Sequence, residues 1–187
     1  MYRLAESMVI RSNAEIAGDL THMSAGSLIL ELVRELVQES DPDPRLFDLV
    51  TEALGTLSKT HESNPDTVAL CVLLRVLALS GFAVGVNKCI ACDRKVPAGK
   101  RVLFDIGRGG VVCRDCGGGP INLSAGAANA FMVLSQSTIQ EAAILDFKHK
   151  YLVEVEETLD DFITFHLGRP LKTTTFKAQI NKYKKQS

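Results

Sequence analysis

"CIACDRKVPAGKRVLFDIGRGGVVCRDC", residues 89–116, holds four of the chain's five cysteines as two CxxC pairs with twenty residues between them. Two residues between cysteines let a tight turn aim both sulfurs at one point, and C-x2-C-x20-C-x2-C is the spacing of a zinc ribbon or a related four-thiolate site. Lys100–Ile106 and Gly110–Cys113 are β-prone runs, and Gly107-Arg108-Gly109-Gly110 reads as the hairpin turn that joins them. Gly117 to Gly119 follow the second pair, where glycine tolerates the positive φ that such a turn needs. The hairpin is therefore expected to return Cys113 and Cys116 to Cys89 and Cys92, closing a tetrahedron around one structural Zn²⁺.

A closed tetrathiolate has no open coordination position, so it is structural and not hydrolytic. Iron in a rubredoxin-like site is the second candidate for these cysteines. Redox-active pairs are the third; a thioredoxin-type CxxC opens a helix in a βαβ setting, which neither pair has. So small a ribbon lacks an apolar core of its own, and metal binding supplies its folding energy. It is expected as an excursion packed against the helices on either side.

Those helices are legible from their spacing. Leu28, Leu32 and Leu36, with Ile29, Val33 and Val37, form an apolar stripe on a helix from Asp19 to about Glu39. The prolines of SDPDPR break it, and a second helix follows with Leu46, Phe47, Val50, Leu54 and Leu57 expected inward. Asn64-Pro65-Asp66 reads as N-cap, first turn and first-turn acid of a third helix that stops at Gly81. This helix is apolar nearly all round, so it is expected at the centre of a bundle, with Cys71 as a small buried hydrophobe. Beyond the ribbon, Ser124 caps a helix to about Ser135, a helical stretch covers Ile139–Leu145, and an amphipathic helix spans Lys150–Leu167 before Gly168. Met1–Arg11 alternates only weakly, as a short strand does.

A chain of 187 residues, 46% hydrophobic and 23% charged, has the composition of an ordinary globular domain and needs no staples to fold. MYRLAESMVIRSNAE carries acids and no apolar run, so it does not read as a signal peptide. The longest apolar run, Val68–Leu79, is too short for a bilayer and holds Arg75. The expected setting is the reducing cytoplasm, where paired cysteines bind metal more often than they form disulfides.

The net charge of −1 conceals a division. Residues 88–116 carry seven Lys/Arg against three acids, and residues 169–187 carry six Lys/Arg and no acid, leaving −11 on the rest. Positive ribbon and tail beside an acidic body is the pattern of a polyanionic partner for two patches. Lys95, Lys100, Arg101 and Arg108 are the candidate DNA phosphate contacts; the alternative is that they solubilise the ribbon and offset a tetrathiolate's −2. Only Phe104 lies nearby for base stacking. His22, His61, His149 and His166 have no metal spacing and read as surface or helix-terminal residues. The acids from Glu154 to Asp161 read as a solvated helix face. No nucleophile–base order or P-loop is present, so the chain is read as a non-enzyme.

Several segments resemble the bacterial recombination mediator RecO family: LILELVRELVQES followed by PRLFDLVTEALGTL, the run into LALSGFAVGVNKCIACD, LFDIGRGGVVCRDC, and FHLGRPLKTTTF. The resemblance implies a mainly α fold, a helical bundle carrying an inserted small β zinc ribbon, with Cys89, Cys92, Cys113 and Cys116 as zinc ligands. It implies a role in DNA repair through single- and double-stranded DNA, RecR and the tail of single-strand-binding protein, with strand annealing and RecA loading as outcomes. Binding an acidic tail requires an apolar pocket flanked by cations, for which Arg75 is the candidate; the alternative is an Arg at the core edge paired with an acid of the first two helices. The family's N-terminal OB barrel would be ending where this chain starts. The expected organisation is a barrel remnant or linker at 1–12, helical domain at 13–86, ribbon at 87–120, helical domain resumed at 121–168, and a basic tail at 169–187. The competing reading is a zinc-stabilised protein-interaction module without DNA binding of its own.

Overall fold

The structure is a computed structural model that describes residues 6, 8–10, 12–37, 43–59, 62–97 and 99–176. Helix α1 (Leu20–Leu36) begins at Asp19, whose carboxylate accepts the N–H groups of Thr21 and His22 and so satisfies donors the first turn leaves free. Helix α2 (Pro44–Leu57) is capped by Asp43, and α3 (Pro65–Leu79) by Asn64. Ser124 accepts the Ala127 N–H to start α4 (Ala125–Gln136), and a Thr138–Glu141 capping box starts α5 (Ile139–Ala143). Helix α6 (His149–Leu167) stops at Gly168, which takes the left-handed conformation.

Helix α3 is the axis of the bundle and packs against α1, α2, α4, α5 and α6. Its burial extends around almost the whole circumference from Thr67 to Leu77, with Arg75 alone half-buried, as a nearly continuous apolar sequence demands. Cys71 is fully buried there, with its Sγ 3.4 Å from the Ser137 carbonyl, and burial pushes its thiol pKa up. Among the described residues no helix is long and apolar enough to cross a membrane.

The ribbon sheet grows from β1 (Val102–Asp105), which pairs antiparallel with β2 (Gly110–Val111) on one side and β3 (Ile121–Leu123) on the other. Phe104, on the central strand, is fully enclosed and stacks on Phe131 of α4 with ring centroids 5.9 Å apart. Sheet and bundle thus share one hydrophobic core. The hairpin is locked back onto the chain leaving α3: Gly85 N–H donates to the Gly109 carbonyl and Val111 N–H to the Gly85 carbonyl. Gly110 must be glycine, because a Cβ there would run into the Gly85 carbonyl oxygen.

Several details depart from the sequence reading. Helix α1 ends at Leu36; the apolar stripe continues because Val37 packs on the core from an extended backbone. On α2 the inward set is Leu46, Leu49, Ala53 and Leu57, whereas Phe47 is 72% exposed. His22 is in the first turn of α1 as a helix-terminal residue, yet it is buried: Asp19 holds its Nδ1 at 2.9 Å and the Ser63 hydroxyl lies 3.3 Å from its Nε2. That contact, with the two N-cap hydrogen bonds, holds the Asp19 carboxyl down at about 2. His61 lies outside the described residues, as do residues 177–187 of the tail. Met8, Val9 and Ile10 form no strand and are exposed.

Candidate metal centre

Two turns build the site. In the first, the Cys89 N–H donates to the Arg94 carbonyl and the Asp93 N–H to the Cys89 carbonyl, both at 2.8 Å, with Asp93 forced to a φ of 58°. The Ile90 N–H reaches the Val111 carbonyl, tying this turn to β2. In the second, the N–H groups of Cys116 and Gly118 both donate to the Cys113 carbonyl, and Gly117 and Gly118 take positive φ. Glycine occupies the positions where a side chain would strain the turn.

The four Sγ atoms of Cys89, Cys92, Cys113 and Cys116 all lie within 4.8 Å of one another, and Cys92 and Cys113 are 3.8 Å apart. A tetrahedron with Zn–S bonds of about 2.3 Å has S···S edges of about 3.8 Å, so the sulfurs fit such an ion with little movement. The electrostatics point the same way. The Cys113 N–H donated to Cys89 Sγ at 3.3 Å pulls the Cys89 thiol down to about 6. Hydrogen bonding to the sulfurs of Cys113 and Cys92 pushes the Cys116 thiol up to about 12. Crowded sulfurs resist shedding every proton unless a cation takes up the charge. The described cysteines are all free, so no disulfide competes for them.

The family profile described as "Recombination protein O C terminal" matches residues 17–175, which is most of the chain and includes this centre. The chain belongs to the RecO family. A protein named DNA repair protein RecO from Anaeromyxobacter dehalogenans (strain 2CP-C) is 32% identical over 176 residues, covering 92% of this chain and 68% of that relative. The one from Desulfatibacillum aliphaticivorans is 26% identical over 185 residues, covering 96% and 71%. The one from Myxococcus xanthus (strain DK1622) is 32% identical over 163 residues, covering 87% and 64%.

In this RecO-family chain the basic candidates separate. Lys95, Lys100 and Arg101 line one groove of about 240 Å³ on the ribbon, next to Cys89 and Cys113. Arg108 is not in it. It sits on the hairpin turn, where its guanidinium lies against Asp105 and donates to the Cys116 carbonyl. The groove gains Arg114, which sequence reading did not single out although it sits inside the second CxxC pair. Phe104 cannot stack a base, being sealed against Phe131. Arg75 is not among the groove residues and lies half-buried on α3. Its Nη2 donates to the Ser137 carbonyl at 2.5 Å, in the turn between α4 and α5, and its buried Nε has no hydrogen-bond partner.

Proposed function

We propose that this chain is the helical and zinc-ribbon part of a non-enzymatic recombination mediator in DNA repair. A DNA repair role follows from the names its relatives carry. The finer reading is that it assists RecA loading and strand annealing through contacts with RecR, with the tail of single-strand-binding protein, and with DNA. Cys89, Cys92, Cys113 and Cys116 would hold one Zn²⁺, which supplies folding energy to the ribbon and no reaction. The observation that carries the reading is the four-sulfur cluster, which fastens an exposed basic surface onto the helical core. Lys95, Lys100, Arg101 and Arg108 would meet phosphates there, and Arg75 is the candidate contact for a partner protein.

A salt series of single-stranded DNA binding tests it, run beside capture of RecR and of a single-strand-binding-protein tail peptide. Four phosphate contacts give a log–log salt slope of about −3, and replacing one cation by Gln reduces its magnitude by about 0.7. Failure to bind DNA, RecR and the tail at low salt overturns the role for this chain.

A second reading has an observation of its own. Lys88 pairs with Asp93, Arg94 with Asp115, and Arg108 with Asp105, so part of the ribbon's charge is spent within the ribbon. That favours a zinc-stabilised interaction module without DNA binding, which partner capture in the absence of DNA affinity would establish.

A further inference from the structure

Three side chains, from the start of α1 and from the connection between α2 and α3, stand in an order for proton transfer. Asp19 Oδ1 lies 2.9 Å from His22 Nδ1, and the Ser63 hydroxyl lies 3.3 Å from Nε2 of the same ring. His22 is buried, and the Asp19 carboxyl is held down at about 2, so it faces the ring as a carboxylate. A carboxylate only accepts hydrogen bonds. The neutral imidazole therefore keeps its proton on Nδ1 and turns the Nε2 lone pair toward Ser63. A nucleophile, a base within reach of it and a third group orienting that base are the geometry of an activated hydroxyl. Ser63 is also reachable. It lines a groove of about 270 Å³ between α2 and α5, where Ala143 and Ile144 give an apolar wall and Ile144 is 79% exposed. The Ser63 hydroxyl also lies 3.1 Å from the Lys59 carbonyl, and a rotation about its C–O bond exchanges that acceptor for His22 Nε2. Ser58 supplies the comparison within the same connection: it is half-buried and donates to the Gly55 carbonyl, with no histidine contact among the described residues.

We infer that Ser63 is a modification site for an activated acyl donor of the thioester class, with His22 as its base and Asp19 positioning the ring. Attack forms a bond from Ser63 Oγ to the acyl carbon and breaks the carbon–sulfur bond of the donor. The hydroxyl proton passes to His22 Nε2 and from there to the departing thiolate, which leaves as a thiol. Turnover is not expected. The N–H that follows the nucleophile, that of Asn64, already donates to the Ala143 carbonyl at 2.8 Å and is not free to hold an oxyanion. The leaving group must therefore supply the reactivity, and the acyl-serine persists. The inference is independent of the DNA-repair reading and is compatible with a mediator that turns over no substrate.

The test treats the full, metal-loaded chain with S-phenyl thioacetate, and separately with a fluorophosphonate, which reacts by the same proton route with fluoride leaving. Peptide mass spectrometry follows each serine, and so separates Ser63 from the ribbon thiols, which also take acetyl groups from a thioester. In the folded chain Ser63 is expected to react at least about tenfold faster than Ser58, and in urea at the same rate. His22→Gln is expected to bring Ser63 down to the Ser58 rate. Asp19→Asn keeps a good N-cap for α1 but allows the amide to donate to Nδ1. It is expected to slow Ser63 at least about tenfold, with nitrogen-15 NMR showing the ring proton moved to Nε2. Equal rates for Ser63 and Ser58 in the folded wild type overturn the inference without any variant. So does a His22→Gln chain that keeps the wild-type melting temperature and an unchanged Ser63 rate, which makes the contact a tether between α1 and the α2–α3 connection. A Ser63 rate that stays above that of Ser58 in urea assigns the reactivity to local sequence and overturns it as well.

Discussion

The Glu31 carboxylate of α1 accepts both the backbone N–H and the hydroxyl of Thr173, at 2.8 and 2.6 Å, across 142 positions of sequence. It also accepts the Lys172 N–H at 2.9 Å, so one nearly buried acid caps the helical residues 172–176 and ties the chain beyond α6 to the first helix. Arg169 reinforces the closure by pairing with Glu35, one turn along α1. Without Glu31 those N–H groups would be donors left open at a helix start.

This latch gives the fold an acid-sensitive point. Burial raises the Glu31 pKa, but the hydrogen bonds from Thr173 and Lys172 outweigh it and leave the carboxyl below its ordinary value of 4.5. A lowered folded-state pKa contributes stability that is fully present above the unfolded value and disappears as pH falls through the folded one. Wild type is therefore expected to lose urea stability below about pH 4.5 more steeply than Glu31→Gln. At neutral pH Glu31→Ala is expected to cost about 1.5–3 kcal/mol, since it strips a charged acceptor from three part-buried hydrogen bonds. Equal pH slopes for wild type and Glu31→Gln would remove this account.

On α2, Phe47 and Leu49 have exchanged the places their hydrophobicity suggests. Leu49 is buried while Phe47 points to solvent. Leu49→Ala is expected to destabilise by about 2–4 kcal/mol through lost transfer energy and a residual cavity. Phe47→Ser should change stability by less than about 0.5 kcal/mol. Denaturant midpoints of the two variants check this directly, and a Phe47 cost as large as that of Leu49 would restore Phe47 to the core.

The contrast shows where the sequence was readable. The caps Asn64 and Ser124, the apolar circumference of α3 and the CxxC spacing are local signals, and each appears in the structure as its chemistry predicts. Phe47 escaped because Leu46, Leu49, Ala53 and Leu57 make a complete stripe without it, and a small Ala on the inner face gives little hint of its direction. Strand β3 was missed because three residues, Ile121–Leu123, are too few for a period to register; pairing with β1 makes them a strand. The Glu31 latch and the ribbon groove depend on residues brought together by the tertiary fold, which no local pattern encodes.

Removing the metal should affect the ribbon before the bundle. The four thiols must be deprotonated to bind an ion, so affinity falls as pH falls and protons compete for the sulfurs. Metal stripped from the four-cysteine site by mild acid or by a chelator is expected to expose the Lys88–Arg114 region to trypsin, while far-UV circular dichroism keeps most of its helical signal. Cys113→Ser should behave similarly, because it removes a sulfur and leaves three neighbours to rearrange. Thermal stability should also fall, since Phe104 of the ribbon covers Phe131 of α4. Full retention of trypsin resistance in metal-free protein would show that the ribbon is held by packing alone.

Arg75 offers a separation of structural and binding roles that one pair of measurements resolves. Its guanidinium donates to the Ser137 carbonyl from a half-buried position, bracing the turn between α4 and α5 against α3. Ser137 is itself the acceptor nearest Cys71 Sγ, so the carbonyl is a shared strut for α3. Arg75→Met keeps the apolar stem and removes the donor, leaving the Ser137 carbonyl to the weak thiol alone; the expected cost is about 1–2 kcal/mol. If bracing is the whole of its role, acidic-tail binding per folded molecule is unchanged in Arg75→Met, while the melting temperature drops by several degrees. Loss of tail binding with an unshifted melting temperature would instead make Arg75 a partner contact.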